Sequence, residues 1–213
     1  MFRYDIINFL LKTYFPNDAR YLEIGVANPE ECFNKIQCNH KTSVDPNTYI
    51  PSYNINYEMT SDEFFNKLEN SQTIFHPNYK WDIIFIDGLH LADQVYKDIL
   101  NAKNHCNQHG FIILHDCNPA NYYNAHSDLD FFLANPTEWN GSTWKALYKF
   151  RTQFNLKSYT VDTDYGIGVI EMNKVQNLIN DTNPWFEFGS FTKNRQEQIG
   201  LISLSNFFQM HSY

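Results

Sequence analysis

Basic residues are scarce in this chain: 16 Lys and Arg face 24 Asp and Glu, a formal net charge of -8. No basic stripe stands out to offset the repulsion of a phosphate backbone, which excludes a nucleic-acid partner held mainly by charge and favours a small or neutral substrate. Long apolar runs are missing as well. None reaches the roughly 18 residues that span a bilayer, so no membrane partner is expected. The opening Met1-Phe2-Arg3-Tyr4-Asp5 carries an acid and leads into an amphipathic pattern, unlike a secretory leader, and a cytoplasmic location is expected. Cysteine is limited to Cys32, Cys38, Cys106 and Cys117, without CxxC spacing. These are too few for a disulfide framework in 213 residues and too scattered for a zinc site, so they read as reduced thiols. Also absent is a Gly-x-Gly-x-x-Gly cradle for a pyrophosphate, which counts against a nicotinamide-dependent oxidoreductase.

What is present is an alternation of short apolar runs and amphipathic stretches. In Trp81-Asp-Ile-Ile-Phe-Ile-Asp-Gly-Leu-His90 the unbroken run Ile83 to Ile86 fits a strand buried on both faces of a parallel sheet. Its carboxyl end, where open α/β sheets bind ligands, delivers Asp87 and His90 together. Residues 4–14 predict a leading helix. Residues 21–25 predict a strand running into a helix capped by Asn28 with Pro29 in its first turn. Strands follow at 42–46 and 55–58, then a helix capped by Ser61, a helix over 91–105, and a buried strand over 110–114 ending in His115-Asp116-Cys117-Asn118. Periodicity fails between Ala120 and Asn140, whose aromatic content suits a lid or substrate loop rather than a solvated linker. A helix over 142–150 and an antiparallel hairpin over 157–171 complete an α/β sheet that is mostly parallel with an antiparallel edge. Of the remaining histidines, His40, His76, His105, His109, His126 and His211 are expected at the surface. Trp139 and Trp144 are expected to border an acceptor pocket, and the aromatics after Trp185 to serve as core or subunit surface.

Gly25, Asp45, the Ser61-Asp62 turn and Asp87 thus fall at successive strand ends, where one nucleotide-like ligand would touch them all. On Leu22-Glu23-Ile24-Gly25, Val44-Asp45-Pro46, Met59-Thr60-Ser61-Asp62, Phe85-Ile86-Asp87-Gly88-Leu89-His90 and Ile113-Leu114-His115-Asp116, the chain resembles the class I S-adenosylmethionine-dependent methyltransferases. Within them it is similar to the small O-methyltransferase-like group with Phe-Ile-Asp-Gly-x-His and His-Asp strand ends. The resemblance implies a Rossmann-like methyltransferase fold, with a mostly parallel seven-stranded sheet, an antiparallel C-terminal hairpin and helices on both faces. The length of 213 residues suits one domain over 1–213: a cofactor-binding core at 20–172, a lid or substrate insertion at 119–141, and a C-terminal extension at 175–213 whose aromatics offer a surface for a homo-oligomer.

By the same likeness Glu23 and Gly25 border the methionine part of S-adenosylmethionine, Val26 belongs to the cofactor site, Asp45 holds the ribose hydroxyls, Ser61 and Asp62 flank adenine, and Asp87 faces the sulfonium. His90 and His115 compete as the base for an acceptor hydroxyl, with Asp116 orienting the base. Asp87 and Asp116 are alternatively ligands of Mg2+ or another divalent cation, which would lower the hydroxyl pKa. The family's loop glycine is missing from Val26-Ala27-Asn28-Pro29-Glu30, and Cys117 follows Asp116 where an amide ligand is usual. The acceptor implied is a small molecule: a sugar, glycan precursor or natural product. A catalytically silent cofactor-binding scaffold and a metal hydrolase built on Asp87, His90, His115 and Asp116 are the competing classes.

Overall fold

The computed structural model describes residues 1–48, 53–134 and 138–212. In chain order the elements are α1 (Arg3–Tyr14), β1 (Arg20–Ile24), β2 (His40–Val44), α2 (Ser61–Glu69), β3 (Trp81–Ile86), α3 (Ala92–His105), β4 (Cys106–Leu114), α4 (Leu129–Ala134), α5 (Thr143–Gln153), β5 (Leu156–Val161), β6 (Ile167–Val175), α6 (Phe188–Lys193), α7 (Arg195–Gln198), β7 (Leu201–Ile202) and α8 (Leu204–His211). The strands form one seven-stranded sheet in the order β2-β1-β3-β4-β6-β5-β7. β2, β1, β3 and β4 are mutually parallel, and β6 enters antiparallel to both β4 and β5. No helix among the described residues is long and apolar enough to cross a membrane.

Alternation along the strands explains the two cores. Leu22, Ile84, Ile86, Ile112 and Leu114 face α2, α3 and α5, while Tyr21, Ile83, Phe85, Phe111 and Ile113 face α1 and α8. Both faces are therefore dry, which is why β3 reads as a continuous apolar run. The strand order reverses between β1 and β3. Gly25 N donates to Val44 O at 2.9 Å, Asp87 N to Ile24 O at 2.8 Å and His115 N to Ile86 O at 3.1 Å. Gly25, Asp45, Asp87 and His115 consequently end their strands side by side around this switch point.

Several expectations are corrected. No α-helix follows β1; a single 3-10 turn, Phe33–Lys35, stands there. The local capping signal loses to tertiary bonds. Asn8 of α1 donates to Lys35 O at 2.9 Å and accepts from Gln37 N at 2.8 Å, while Lys41 Nζ donates to Phe33 O at 2.8 Å, so carbonyls that a helix would need are taken. The strand expected at 55–58 shrinks to one bridge, Val44 with Tyr57. Thr60, not Ser61, caps α2, accepting from Glu63 N at 3.2 Å. His105 and His211 are buried rather than at the surface. His105 stacks on Phe65, and His211 lies between the hydroxyls of Tyr14 (2.6 Å) and Tyr159 (2.7 Å), tying α8 to α1 and β5. Burial pushes the His211 imidazole down to about 4, so it stays neutral there. All four cysteines are free.

Candidate active site

A cavity of about 770 Å3 opens at the carboxyl ends of β1 to β4. Every site residue expected from the sequence lines it: Glu23, Gly25, Val26, Asp45, Ser61, Asp62, Asp87, His90, His115 and Asp116.

Its first wall is the β1 end. Glu23 is only 1% exposed and accepts a hydrogen bond from the Tyr21 hydroxyl. Burial pushes its carboxyl up to about 8, against the lowering effect of that bond. The folded protein therefore keeps a proton that the unfolded chain releases near pH 4.3. Stability attributable to this group is full in acid and falls as pH rises towards 8, by at most about 1.4 kcal/mol per unit. Urea unfolding at pH 5 and pH 8 is expected to show this decline, and Glu23→Gln to flatten it; an unchanged slope in the variant would refute the assignment.

Asp45 closes the loop after β1. Its Oδ2 accepts from Val26 N (2.9 Å) and Ala27 N (3.0 Å), and its Oδ1 from Asn47 N (2.6 Å). With three backbone donors on a carboxylate of about four lone-pair sites, Asp45 shapes the cavity wall as well as facing it. Opposite, the first turn of α2 is tied to α3. Gln94 Nε2 lies 3.2 Å from both Ser61 Oγ and Asp62 Oδ1 and 3.1 Å from Asp98 Oδ1. Gln94 and Asp98 also line the cavity, and the sequence reading misses them. Their signal is a polar i, i+4 pair beside the buried face Val95, Ile99 and Ala102. Burial pushes Asp98 up to about 6.

The second wall is a cluster of imidazoles and carboxylates. His90 Nε2 faces Asp87 Oδ1 at 3.3 Å, and Nδ1 faces Trp139 O at 3.2 Å and Asp116 Oδ2 at 3.3 Å. Burial works against charge on this ring, but Asp87 and Asp116 raise its pKa above the ordinary histidine value. His115 Nδ1 lies 3.1 Å from both Asp87 Oδ1 and Asp116 Oδ2. Burial opposes protonation here too, and the same two carboxylates pull the pKa upward. Asp164 Oδ2, 3.6 Å from Nε2, adds to that rise, and Arg3 Nη1 lies 2.8 Å from the same nitrogen. Asp87 is desolvated, yet the His115 charge and the bonds from both histidines hold it far below the usual carboxylate range.

The loops around this cluster are fixed from outside the matched motifs. Asp116 adopts a left-handed φ of 59°, held by Cys117 N to Gly166 O (2.9 Å) and Asn118 N to Tyr165 O (2.8 Å). Asn140 Nδ2 donates to Asp116 Oδ1 at 2.6 Å, and its own Oδ1 is buried without a partner among the described residues. Gly141 sits at φ 58°, where a Cβ would lie 2.2 Å from His90 O. That close approach lets Ser142 N donate to His90 O at 2.7 Å. Trp139 stacks on the His90 ring, centroids 5.3 Å apart, and lines the cavity. Trp144 does not: one helix position inside α5, it stacks on Phe191 at 4.1 Å in the core. The expected lid keeps its aromatic character but contains a short helix, α4, from which Leu129 and Leu133 face the cavity; residues 135–137 of that insertion lie outside the described residues. Arg3, Asp164 and Tyr165 complete the site and are invisible to motif reading, since α1 and the β5–β6 turn bring them in by tertiary packing alone.

The donor set of Asp87, His90 and Asp116, whose ligand atoms lie within 4.8 Å of one another, suits a hard divalent cation by its two carboxylates. The crevice between Gly25 and Asp87, bounded by Asp45 and the α2 turn, suits a nucleoside with an aminoacyl arm.

Residues 23–117 match a family model described as a methyltransferase domain. No curated protein matches the chain. Among solved structures, it is similar to a cofactor-bound protein from Mycobacterium tuberculosis (13% identity, 83% of this chain and 82% of the other, TM-score 0.52). It is also similar to the O-methyltransferase from Bacillus cereus in complex with S-adenosylhomocysteine (12%, 79% of each chain, TM-score 0.50). A third is the mycinamycin-pathway methyltransferase MycE with Mg and S-adenosylhomocysteine (15%, 87% of this chain, TM-score 0.50). The chain spans about half the length of that last protein, 52%. At these identities the structural likeness bears on the fold.

Proposed function

We propose that this chain, whose residues 23–117 match a methyltransferase-domain model, is a class I enzyme that moves a methyl group from S-adenosylmethionine to a hydroxyl of a small molecule, a sugar or glycan precursor. The observation that carries this reading is His90, set between Asp87 and Asp116 in the wall of the same cavity as Gly25 and Asp45. A nucleoside crevice and a base thus share one space. In this reading Glu23, Gly25 and Val26 border the methionine part, Asp45 the ribose, Ser61 and Asp62 the adenine, and Asp87 the sulfonium end.

His90 is the better base on access: its side chain is 19% exposed, against 6% for His115. With Nδ1–H donated towards Trp139 O, the neutral ring turns the Nε2 lone pair from Asp87 Oδ1 to the acceptor hydroxyl and takes its proton; the Nε2–H so formed is then held by Asp87, and Asp116 stabilises the imidazolium at Nδ1. His115 orients Asp87 and Asp116 from behind. Asp87 and Asp116 would hold a divalent cation, which when bound lowers the hydroxyl pKa. Trp139, Leu129 and Leu133 exclude water from the reacting atoms, and the Trp139 face beside Glu138 suits a sugar ring. MycE, solved with Mg, comes from a natural-product pathway and supports the small-molecule class.

Calorimetry with S-adenosylhomocysteine tests the cofactor half: binding is expected in the wild type and is expected to vanish in Asp45→Ala, which loses both the ribose contact and the loop clamp. Unchanged affinity would sink the assigned site.

A further inference from the structure

We infer that Arg3, carried by α1, is the anchor for the α-carboxylate of the cofactor's methionine part, an inference that rests on the cofactor site proposed above.

The charge pattern of the cavity requires such a group. Among its described lining residues Arg3 is the one Lys or Arg, set against eight Asp and Glu. The ammonium of an aminoacyl group is welcome in acidic surroundings. Its carboxylate is repelled unless a cation meets it. Arg3 stands beside the assigned methionine part: its charge acts on Glu23, and its guanidinium lies 3.6 Å at Nε from Asp87, assigned to the sulfonium end, and 3.5 Å at Nη2 from Glu31.

The guanidinium is also under-used. Of its five N–H donors, Nη1 serves His115 Nε2 at 2.8 Å and lies 3.7 Å from Asp164 Oδ2, Nη2 reaches Glu31 at the limit of a hydrogen bond, and buried Nε, 3.6 Å from Asp87 Oδ2, has no hydrogen-bond partner among the described residues. Glu31 is 63% exposed, so that contact is readily exchanged for a better one. A half-buried guanidinium with spare donors suits the forked oxygens of a carboxylate. Its position is set independently of any ligand. Ile6, Ile7, Leu10 and Leu11 bury α1 on the sheet, and Arg3 N donates to Asp164 Oδ2 at 2.7 Å, which fixes the first turn. Arg3 lies outside residues 23–117, the stretch that matches the family model.

The competing role is a strut that merely holds α1 against Asp164 and His115. Calorimetry of wild type, Arg3→Gln and Arg3→Lys with two probes separates them: S-adenosylhomocysteine, and its decarboxylated analogue, which keeps the ammonium and lacks the carboxylate. Wild type is expected to prefer S-adenosylhomocysteine by about tenfold or more, the usual worth of a charge-assisted bond. Arg3→Gln should lose that preference, weakening for S-adenosylhomocysteine while binding the analogue within about twofold of wild type, and Arg3→Lys should retain part of it. Equal weakening for both probes would make Arg3 a strut and overturn the anchor, as would unchanged S-adenosylhomocysteine affinity in Arg3→Gln. A folded wild type that binds neither probe would sink the cofactor site, and the anchor with it.

Discussion

Replacing His90 with alanine is expected to lower kcat/KM for methyl transfer by about 10²- to 10⁴-fold, the usual contribution of a positioned general base, while leaving S-adenosylhomocysteine affinity within a few-fold. Of the two imidazoles that line the cavity, this ring is the more accessible, 19% exposed against 6% for His115. Its two nitrogens are assigned different partners, Trp139 O at 3.2 Å and Asp87 at 3.3 Å. The pH profile supplies the sharper readout. Asp87 and Asp116 raise the His90 pKa, so its proton-accepting form is depleted below that value and populated above it. The wild-type rate should rise with pH through an apparent pKa above the ordinary 6.5 of histidine, and the alanine variant should lack that limb. His115→Asn, by contrast, should keep the limb and lose rate through disordering of Asp87 and Asp116. A His90→Ala enzyme within tenfold of wild type, with its alkaline rise intact, would move the base elsewhere.

The four residues of this cluster from β3, β4 and their loops are legible from sequence for a local reason. An apolar run buried on both faces must end at the sheet's carboxyl edge, so whatever polar residues follow it are delivered to the crevice. Asp87, His90, His115 and Asp116 need no knowledge of the rest of the fold. Arg3 needs all of it: α1 reads only as an amphipathic helix, and nothing in its pattern says that its first turn will meet Asp164 from the β5–β6 turn. Asn140 and Gly141 are intermediate. Gly141 marks a turn in the sequence, but the partner that demands a glycine, His90 O, is 51 positions away and brought close only by packing of α5 on α3.

The failures have the same cause in reverse. Asn28-Pro29 is a sound local helix start, yet Asn8 and Lys41 claim the carbonyls of the following turn and leave a 3-10 fragment. Trp144 falls five residues past Trp139, close enough in sequence to suggest one pocket, but helical phase turns it into the core against Phe191. Tertiary hydrogen bonds and helix phase, neither of which leaves a motif, decide both.

Gly25→Ala is expected to destabilise the fold by roughly 3–5 kcal/mol, combining the left-handed penalty with overpacking, and to abolish S-adenosylhomocysteine binding. Gly25 sits at φ 82°, and a Cβ there would lie 2.2 Å from Gly88 Cα and 2.4 Å from Asp87 O and Gly88 N. These are backbone atoms of the neighbouring strand end, so no rotamer change relieves the contact. Relief requires β1 and β3 to part, breaking the Asp87 N to Ile24 O bond of 2.8 Å at the switch point. The displaced groups are Asp87 and the loop held by Asp45, so the nucleoside crevice is lost together with stability. Gly88 is the internal control. A Cβ on it would meet Gly25 Cα at 3.8 Å, ordinary van der Waals contact, so Gly88→Ala should unfold within about 1 kcal/mol of wild type. Urea titration of the two variants, read by the midpoint at constant slope, checks the asymmetry. Two glycines whose Cα atoms face each other across one gap would then differ because only one has its missing side chain pointing into the other strand's backbone. Equal midpoints for the two variants would show that the gap can open at little cost, and the tight β1–β3 junction would lose its place as the frame on which Asp87 is held.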